Sequence, residues 1–228
     1  MYAFIFARGG SKGIPNKNIT VFNGTTLLGH SIQILKSYFS ESKIFVSSDS
    51  PAILKEACQH GVNSVLRPES LSTDESNEIL SWRNMCEQLD LNETEPFLVA
   101  PVTSPFRTTG DIIKGKELWE SSKYDIVMTK TSSSRNPYLN MVTYNNNGLL
   151  RPLSYKDKLY RRQDSPPFWD ILTILYITNY AYIRNTCDLL SGDVGWLEIP
   201  KERSIDIDTP CDLKYAKMLL NINKQIND

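Results

Sequence analysis

The chain has 228 residues, 40% hydrophobic and 22% charged, with a formal net charge of -1. That composition suits one large globular domain, or a core domain with an excursion. The near-neutral balance excludes a general nucleic-acid or membrane-surface role, which needs a basic excess, and no run of eighteen apolar residues argues for a membrane-spanning helix.

In chain order, residues 2–7 (Tyr2-Ala3-Phe4-Ile5-Phe6-Ala7) read as a buried strand that empties into Arg8-Gly9-Gly10-Ser11-Lys12-Gly13-Ile14-Pro15-Asn16-Lys17-Asn18. This loop holds glycines and cations and no acidic residue. Glycines let backbone N–H groups approach an anion and the cations neutralise it, so a polyphosphate site is expected. The bland alternative is a solvated surface loop, but such loops usually mix charge signs. Leu28, Ile32, Leu35 and Phe39 then recur at helical spacing. Residues 43–48 predict a strand, and Asp49-Ser50-Pro51 starts a helix through His60. Val62–Leu66 is strand-like. Ile79, Trp82, Cys86 and Leu89 mark another helix, with Thr73-Asp74-Glu75-Ser76 as its polar entry. Phe97–Ala100 and Asp125–Thr129 are further strands, separated by a Pro/Ser/Thr turn and a helix over 110–121.

Short apolar strands alternating with helices imply an α/β fold with a mostly parallel sheet covered on both faces, and ligands at the carboxyl ends of its strands. Residues 132–168 are polar, aromatic and proline-broken, with two short strands expected around Asn145-Asn146-Asn147-Gly148. That is too long for a bare loop, so it is read as a functional or interface excursion within a single 1–228 domain. Residues 171–178 are β-prone. Thr209 as N-cap and Pro210 at the first helical position launch a last helix with Leu213, Ala216 and Leu220 on one face.

Ser204-Ile205-Asp206-Ile207-Asp208-Thr209 is the acidic counterpart of the opening loop. Read as a strand, its period of two sets Asp206 and Asp208 on one face. Oxygen-only ligation by two carboxylates suits Mg²⁺ joined to phosphates. Alternatively the pair is the acidic flank of a helix entry. His30 and His60 fall in helices and read as packing or surface residues. Cys58, Cys86, Cys187 and Cys211 are isolated and read as small buried hydrophobes. With no charged leader and no cleavage site before the first strand, a cytoplasmic location is expected, and the N-x-T matches at Asn18, Asn23 and Asn92 are taken as incidental.

Together these segments resemble a known family. Residues 7–18 resemble the signature A-R-x-x-S-K-G-x-P-x-K-N of the cytidylyltransferases that make CMP-sialic acid and related CMP-nonulosonic acids, and residues 204–209 resemble their S-I-D-I-D-T. Leu66-Arg67-Pro68 and Thr103-Ser104-Pro105-Phe106-Arg107 resemble the family's L-R-P and T-S-P-L-R segments, as does Arg162-Gln163 followed fourteen residues after the arginine by Tyr176.

The resemblance implies a Rossmann-like fold of the nucleotide-diphospho-sugar transferase type, and Mg²⁺-dependent transfer of CMP from CTP to a sugar acid with loss of pyrophosphate. It implies catalytic roles for Arg8, Lys12, Lys17 and Asp208. Ala7, Arg8, Gly9, Gly10, Ser11, Lys12, Asn18 and Arg67 would contact the nucleotide. Pro101, Thr103, Arg162, Gln163, Thr173 and Tyr176 would contact the sugar, and Asp206 and Asp208 would hold the metal. Arg161 could replace Arg162. It further implies a homodimer in which 132–168 is a dimerisation arm, with Arg135 or Lys158 possible contributors to a neighbouring site, and no nucleic-acid or membrane partner.

Two departures bear on the sugar. Sialic-acid-specific members carry a glutamine where Pro101 stands and an N-G pair where Leu172-Thr173 stands, so a less hydroxylated or differently acylated acid is expected. A Kdo-type cytidylyltransferase and a non-catalytic nucleotide-binding module of the same fold are the other readings.

Overall fold

The computed structural model describes residues 1–73, 75–153 and 161–227. The chain runs β1 (Tyr2–Phe6), β2 (Val21–Phe22), β3 (Thr25–Thr26), α1 (Leu27–Lys36), β4 (Ile44–Ser48), α2 (Pro51–Gln59), β5 (Asn63–Leu66) and α3 (Glu78–Gln88). It continues through β6 (Pro96–Val99), α4 (Thr109–Ser121), β7 (Ile126–Ser132), β8 (Val142–Tyr144), β9 (Leu150–Pro152), β10 (Trp169–Asn179), α5 (Tyr180–Asn185), β11 (Val194–Glu198) and α6 (Pro210–Asn227). Local chemistry sets the helix starts. Thr26 Oγ1 accepts the Gly29 N–H at the head of α1, Pro51 stands in the first turn of α2, and Thr108 and Asp111 form a reciprocal capping box on α4. The entry of α3 differs from expectation: Asn77, not the 73–76 stretch, caps it by accepting the Ile79 N–H, and Asp74 lies outside the described residues.

Among the described residues seven strands form one sheet in the order β11-β7-β10-β6-β1-β4-β5. Neighbours are parallel except at β10, which is antiparallel to both β6 and β7. The fold is therefore α/β with a mostly parallel sheet, as read from the sequence. Strand β11 went unread because Gly195 interrupts a five-residue run. That glycine is where the Tyr124 ring packs: a Cβ there would lie 2.6 Å from it.

Both faces of the sheet are buried, which is why its central strands are apolar throughout. Ala3, Ile5, Leu98, Val127 and Leu175 face a core closed by Leu28, Ile32, Ala57, Ile112 and Ala216 from α1, α2, α4 and α6. Phe4, Phe97, Val99, Ile126 and Tyr176 face the other, closed by Trp82, Met85 and Cys86 of α3 and Ile183 of α5.

Several expectations need correction. Among the described residues no strand pairs with 204–208, although the period of two survives: Ile205 and Ile207 pack into the first core, while Asp206 meets Thr173 and Asp208 is exposed. Of the cysteines only Cys86 is buried, and burial pushes its thiol up to about 12; Cys58, Cys187 and Cys211 are exposed. The 132–168 stretch carries the β8–β9 hairpin, turned at Gly148 (φ +71°) with Asn145 Oδ1 accepting the Asn147 and Leu149 N–H groups. Its Val142, Tyr144, Leu149 and Leu150 are exposed. Lys158 lies outside the described residues. No helix among the described residues is long and apolar enough to cross a membrane.

The segment before the aspartates is tethered by charge. Arg203 forks onto Asp111, Nη2 donating to Oδ1 at 2.9 Å and Nη1 to Oδ2. Burial alone would raise the Asp111 carboxyl. The Arg203 fork and the Thr108 N–H and hydroxyl outweigh it and hold the group below its ordinary 3.8. A depressed carboxyl stabilises the fold at pH above its unfolded value and loses that contribution as pH falls through its folded value. Asp111→Asn should therefore cost about 3–5 kcal/mol in urea unfolding at neutral pH, because Arg203 is left without its partner. The difference from wild type should shrink as pH drops below the ordinary carboxylate range.

Candidate active site

The carboxyl ends of β1, β4, β5 and β6 lie along one edge of the sheet, and β10, running the other way, brings its first half to that edge. A cleft of about 420 Å³ opens there, lined by Phe6, Arg8, Ser11, Lys12, Gly13, Lys17, Asn18, Thr103 and Asp208. The structure thus joins the opening loop to the closing acidic segment. A second hollow of about 470 Å³ lies beside Asp49, Leu66, Arg67, Pro68 and Glu69.

The loop is fixed from within. Asn18 is buried and its Nδ2 donates to the Arg8 carbonyl at 2.9 Å, so this predicted nucleotide contact also staples the loop's two ends. The Ala7 N–H continues the sheet ladder to the Ser47 carbonyl. The Gly9 N–H goes to Asp49 Oδ1 at 3.0 Å and the Ser11 N–H to the Gly9 carbonyl, so two donors expected to face phosphate have protein partners. Gly13 is where the loop crosses the acidic segment: a Cβ would stand 2.1 Å from the Asp208 carbonyl oxygen. At Gly10 a Cβ would meet nothing within 4 Å among the described residues.

Lys17 Nζ lies 2.8 Å from Asp208 Oδ1, with the lysine largely covered and the carboxylate 68% exposed. Asp206 is held differently. Thr173 Oγ1 donates to its Oδ2 at 3.1 Å, while its Oδ1 is buried with no partner among the described residues. A buried carboxylate oxygen without a protein partner is suited to receive a cation. Two carboxylates, one with that oxygen and one reaching solvent, are a donor set fit for a hard divalent ion.

Arg67 is buried. Its Nε reaches Ser72 Oγ at 3.1 Å, its Nη1 reaches Ser81 Oγ at 3.4 Å, and its Nη2 lies 3.6 Å from Asp49 Oδ1. Burial lowers its pKa against the pull of Asp49. Asp49 therefore links Arg67 to the Gly9 N–H, a role the sequence reading missed. Its signal was its place directly after a strand.

The predicted sugar residues divide. Thr103 lines the cleft, and its carbonyl accepts the Ile207 N–H at 2.9 Å. The Pro101 carbonyl accepts from Arg107 Nη2 at 2.6 Å. Arg107 is wholly buried, its guanidinium lowered to about 10 by desolvation, and it braces backbone. Tyr176 packs on Trp82, with ring centroids 5.3 Å apart, and burial raises its hydroxyl's pKa. Gln163 is exposed in a short turn of helix over Arg162–Asp164, with none of the contacts described above. Arg135 lines a separate hollow of about 380 Å³ with Phe168, Trp169 and Glu198. Neither histidine lines the cleft: His30 Nε2 lies 2.8 Å from the Pro105 carbonyl and burial lowers its pKa.

Comparison with known proteins shows the family and the fold. Residues 2–228 match the cytidylyltransferase family. The chain is 30% identical over 213 residues to an N-acylneuraminate cytidylyltransferase of Streptococcus agalactiae serotype V, covering 92% of this chain but 51% of that protein. It thus spans about half the length of those streptococcal relatives. It is 28% identical to a CMP-N,N'-diacetyllegionaminic acid synthase of Legionella pneumophila, covering 98% of this chain and 97% of that one. Among solved structures, CMP:2-keto-3-deoxy-manno-octonic acid synthetase complexed with CTP superposes with a TM-score of 0.73 at 13% identity, over 97% of this chain and 98% of the other. That likeness shows the fold.

The Gly13 crossing makes a local prediction. Gly13→Ala should push the loop off the 205–208 segment and cost about 1–3 kcal/mol, as overpacking does. Gly10→Ala should leave the thermal midpoint near wild type, and differential scanning calorimetry of the two variants checks the contrast.

Proposed function

The chain belongs to the cytidylyltransferase family, and from that premise we propose that it transfers CMP from CTP to the anomeric hydroxyl of a nonulosonic acid and releases pyrophosphate. One observation carries the reading: Arg8, Lys12 and Lys17 share a single cleft with Asp208, beside Asp206 and its bare oxygen. The names of the streptococcal and Legionella relatives support the class of sugar.

In the proposed reaction the sugar's anomeric oxygen bonds to the α-phosphorus, the α–β phosphoanhydride breaks, and the hydroxyl proton is lost. The cations of the loop would balance the charge that grows on the departing pyrophosphate. Lys17 suits this role because Asp208 already orients its ammonium at 2.8 Å. Asp206 and Asp208 would hold Mg²⁺, which supplies charge neutralisation at the phosphate and lowers the pKa of a coordinated hydroxyl. Arg67 and Asn18, at the walls of the two hollows, would bound the nucleotide. Thr103 and Tyr176 would lie toward the sugar, together with Pro101 where sialic-acid-specific members have glutamine. That apolar substitution favours an acid with fewer hydroxyls to satisfy, the legionaminic or pseudaminic type.

We further propose a homodimer. Its support is the β8–β9 hairpin, which exposes Val142, Tyr144, Leu149 and Leu150 together, a patch of the kind that marks an interface. A cytoplasmic setting fits a reaction that consumes CTP.

Incubating the protein with CTP, Mg²⁺ and a panel of nonulosonic acids should release pyrophosphate and give a CMP-sugar visible by mass spectrometry; silence across the whole panel would overturn the reading. Chelation with EDTA should abolish turnover, and restored Mg²⁺ should recover it. Asp208→Ala should lower kcat at least about 100-fold without loss of fold, since a catalytic metal contributes several kcal/mol. Lys17→Ala should lower it roughly 10²–10³-fold, the usual cost of removing one transition-state charge partner.

A further inference from the structure

We propose that Thr173 is a positioning residue for Asp206, set by an irregularity in β10 so that one carboxylate oxygen is pinned and the other is left bare for a divalent cation. The inference rests on the metal-assisted transfer proposed above and deepens it.

The irregularity is visible in the register of β10 against β7. Leu172 pairs with Thr129 and Ile177 with Val127, so five steps along β10 (172 to 177) answer two along β7 (129 to 127). Three surplus residues within a buried sheet would leave backbone polar groups unpaired in an apolar setting, which is unfavourable. Here buried side chains collect the carbonyls in turn. Thr129 Oγ1 donates to the Leu172 carbonyl at 2.9 Å, Ser104 Oγ to the Thr173 carbonyl at 3.0 Å, and Arg107 Nε to the Ile174 carbonyl at 2.5 Å. Thr129 Oγ1 also accepts the Ile174 N–H at 3.3 Å. A bulge that re-aims a side chain beside an active site is a recurrent device, and one served by three buried polar residues is built for its shape.

What the shape delivers is the Thr173 hydroxyl, 3.1 Å from Asp206 Oδ2 and 3.1 Å from Ser104 Oγ. An ionised carboxylate only accepts, so Thr173 spends its one proton on Asp206. Ser104 then donates to the Thr173 carbonyl or hydroxyl oxygen. A neutral donor fixes the carboxylate's orientation and leaves its charge for a cation, whereas Lys17 neutralises Asp208 directly. Partners of this kind orient metal ligands, and their loss typically lowers metal affinity 10–100-fold. The sequence reading set Thr173 against the sugar. With its proton committed to Asp206, the hydroxyl has no donor left for a sugar oxygen.

The test compares wild type with Thr173→Val and Thr173→Ser. Mn²⁺ binding in the presence of CTP is followed by electron paramagnetic resonance, alongside the Mg²⁺ dependence of turnover and the sugar KM. Thr173→Val should weaken Mn²⁺ binding roughly 10–100-fold and raise the Mg²⁺ requirement, with the sugar KM unchanged. Thr173→Ser should restore wild-type Mn²⁺ binding. Unchanged Mn²⁺ affinity in Thr173→Val, or an effect confined to the sugar KM, would overturn the inference. If Thr173→Val does not fold, Thr173→Ala and Ser104→Ala carry the same reading, and wild-type Mn²⁺ affinity in both overturns it. Because Mn²⁺ binding is read without turnover, a Thr173-dependent site in a protein that makes no CMP-sugar would count against the proposed reaction alone.

Discussion

A carboxylate cannot be buried without a partner, and the arrangement of this cleft depends on how that requirement is met at Asp111. Its side chain is almost fully covered, caps α4 and receives the forked Arg203 guanidinium. Arg203 directly precedes a segment that no strand pairs with, so the ion pair does the anchoring a ladder would do elsewhere. At the far end, Thr209 and Asp212 exchange hydrogen bonds at the start of α6, and Asp212 also takes the Asp208 N–H. Between these anchors the Ile207 N–H reaches the Thr103 carbonyl and its side chain enters the core. The segment that carries the two aspartates is thereby tied at both ends and in its middle.

The second organising feature is the reversed strand. A wholly parallel sheet would offer the site only loops that follow strands. Because β10 runs against β6 and β7, the first half of a strand reaches the same edge, and Thr173 meets Asp206 from a paired element. A site built on such an element is held more closely than one built on loops.

Much of this was legible in the sequence because it is local. The run of apolar residues in β1, the helical recurrence of Leu28, Ile32 and Leu35, and Thr209-Pro210 before α6 each carry their structure within a few residues. The alternation of Ile205 and Ile207 with Asp206 and Asp208 also survived, although it reflects burial of the isoleucines and not a ladder. What stayed hidden is relational. Nothing in the string says that Asp49 will meet the Gly9 N–H, that Arg203 will meet Asp111, or that Ser104, Arg107 and Thr129 will serve one bulge. These partners come from separate elements, and each looks unremarkable in its own neighbourhood. The cysteines show the converse error: an apolar local context predicted burial, and three of the four are exposed, Cys58 and Cys211 on helices whose Ala57 and Ala216 face the core instead.

The contact between Lys17 and Asp208 spans 191 positions of sequence. Contacts of such long sequence separation slow folding, because closure entropy is lost before the contact rewards it. During synthesis, when the earlier part of a chain folds first, the glycine-rich loop emerges long before its acidic counterpart. A nascent chain would therefore carry its cationic loop without the carboxylates that complete the cleft until the segment in front of α6 has been made.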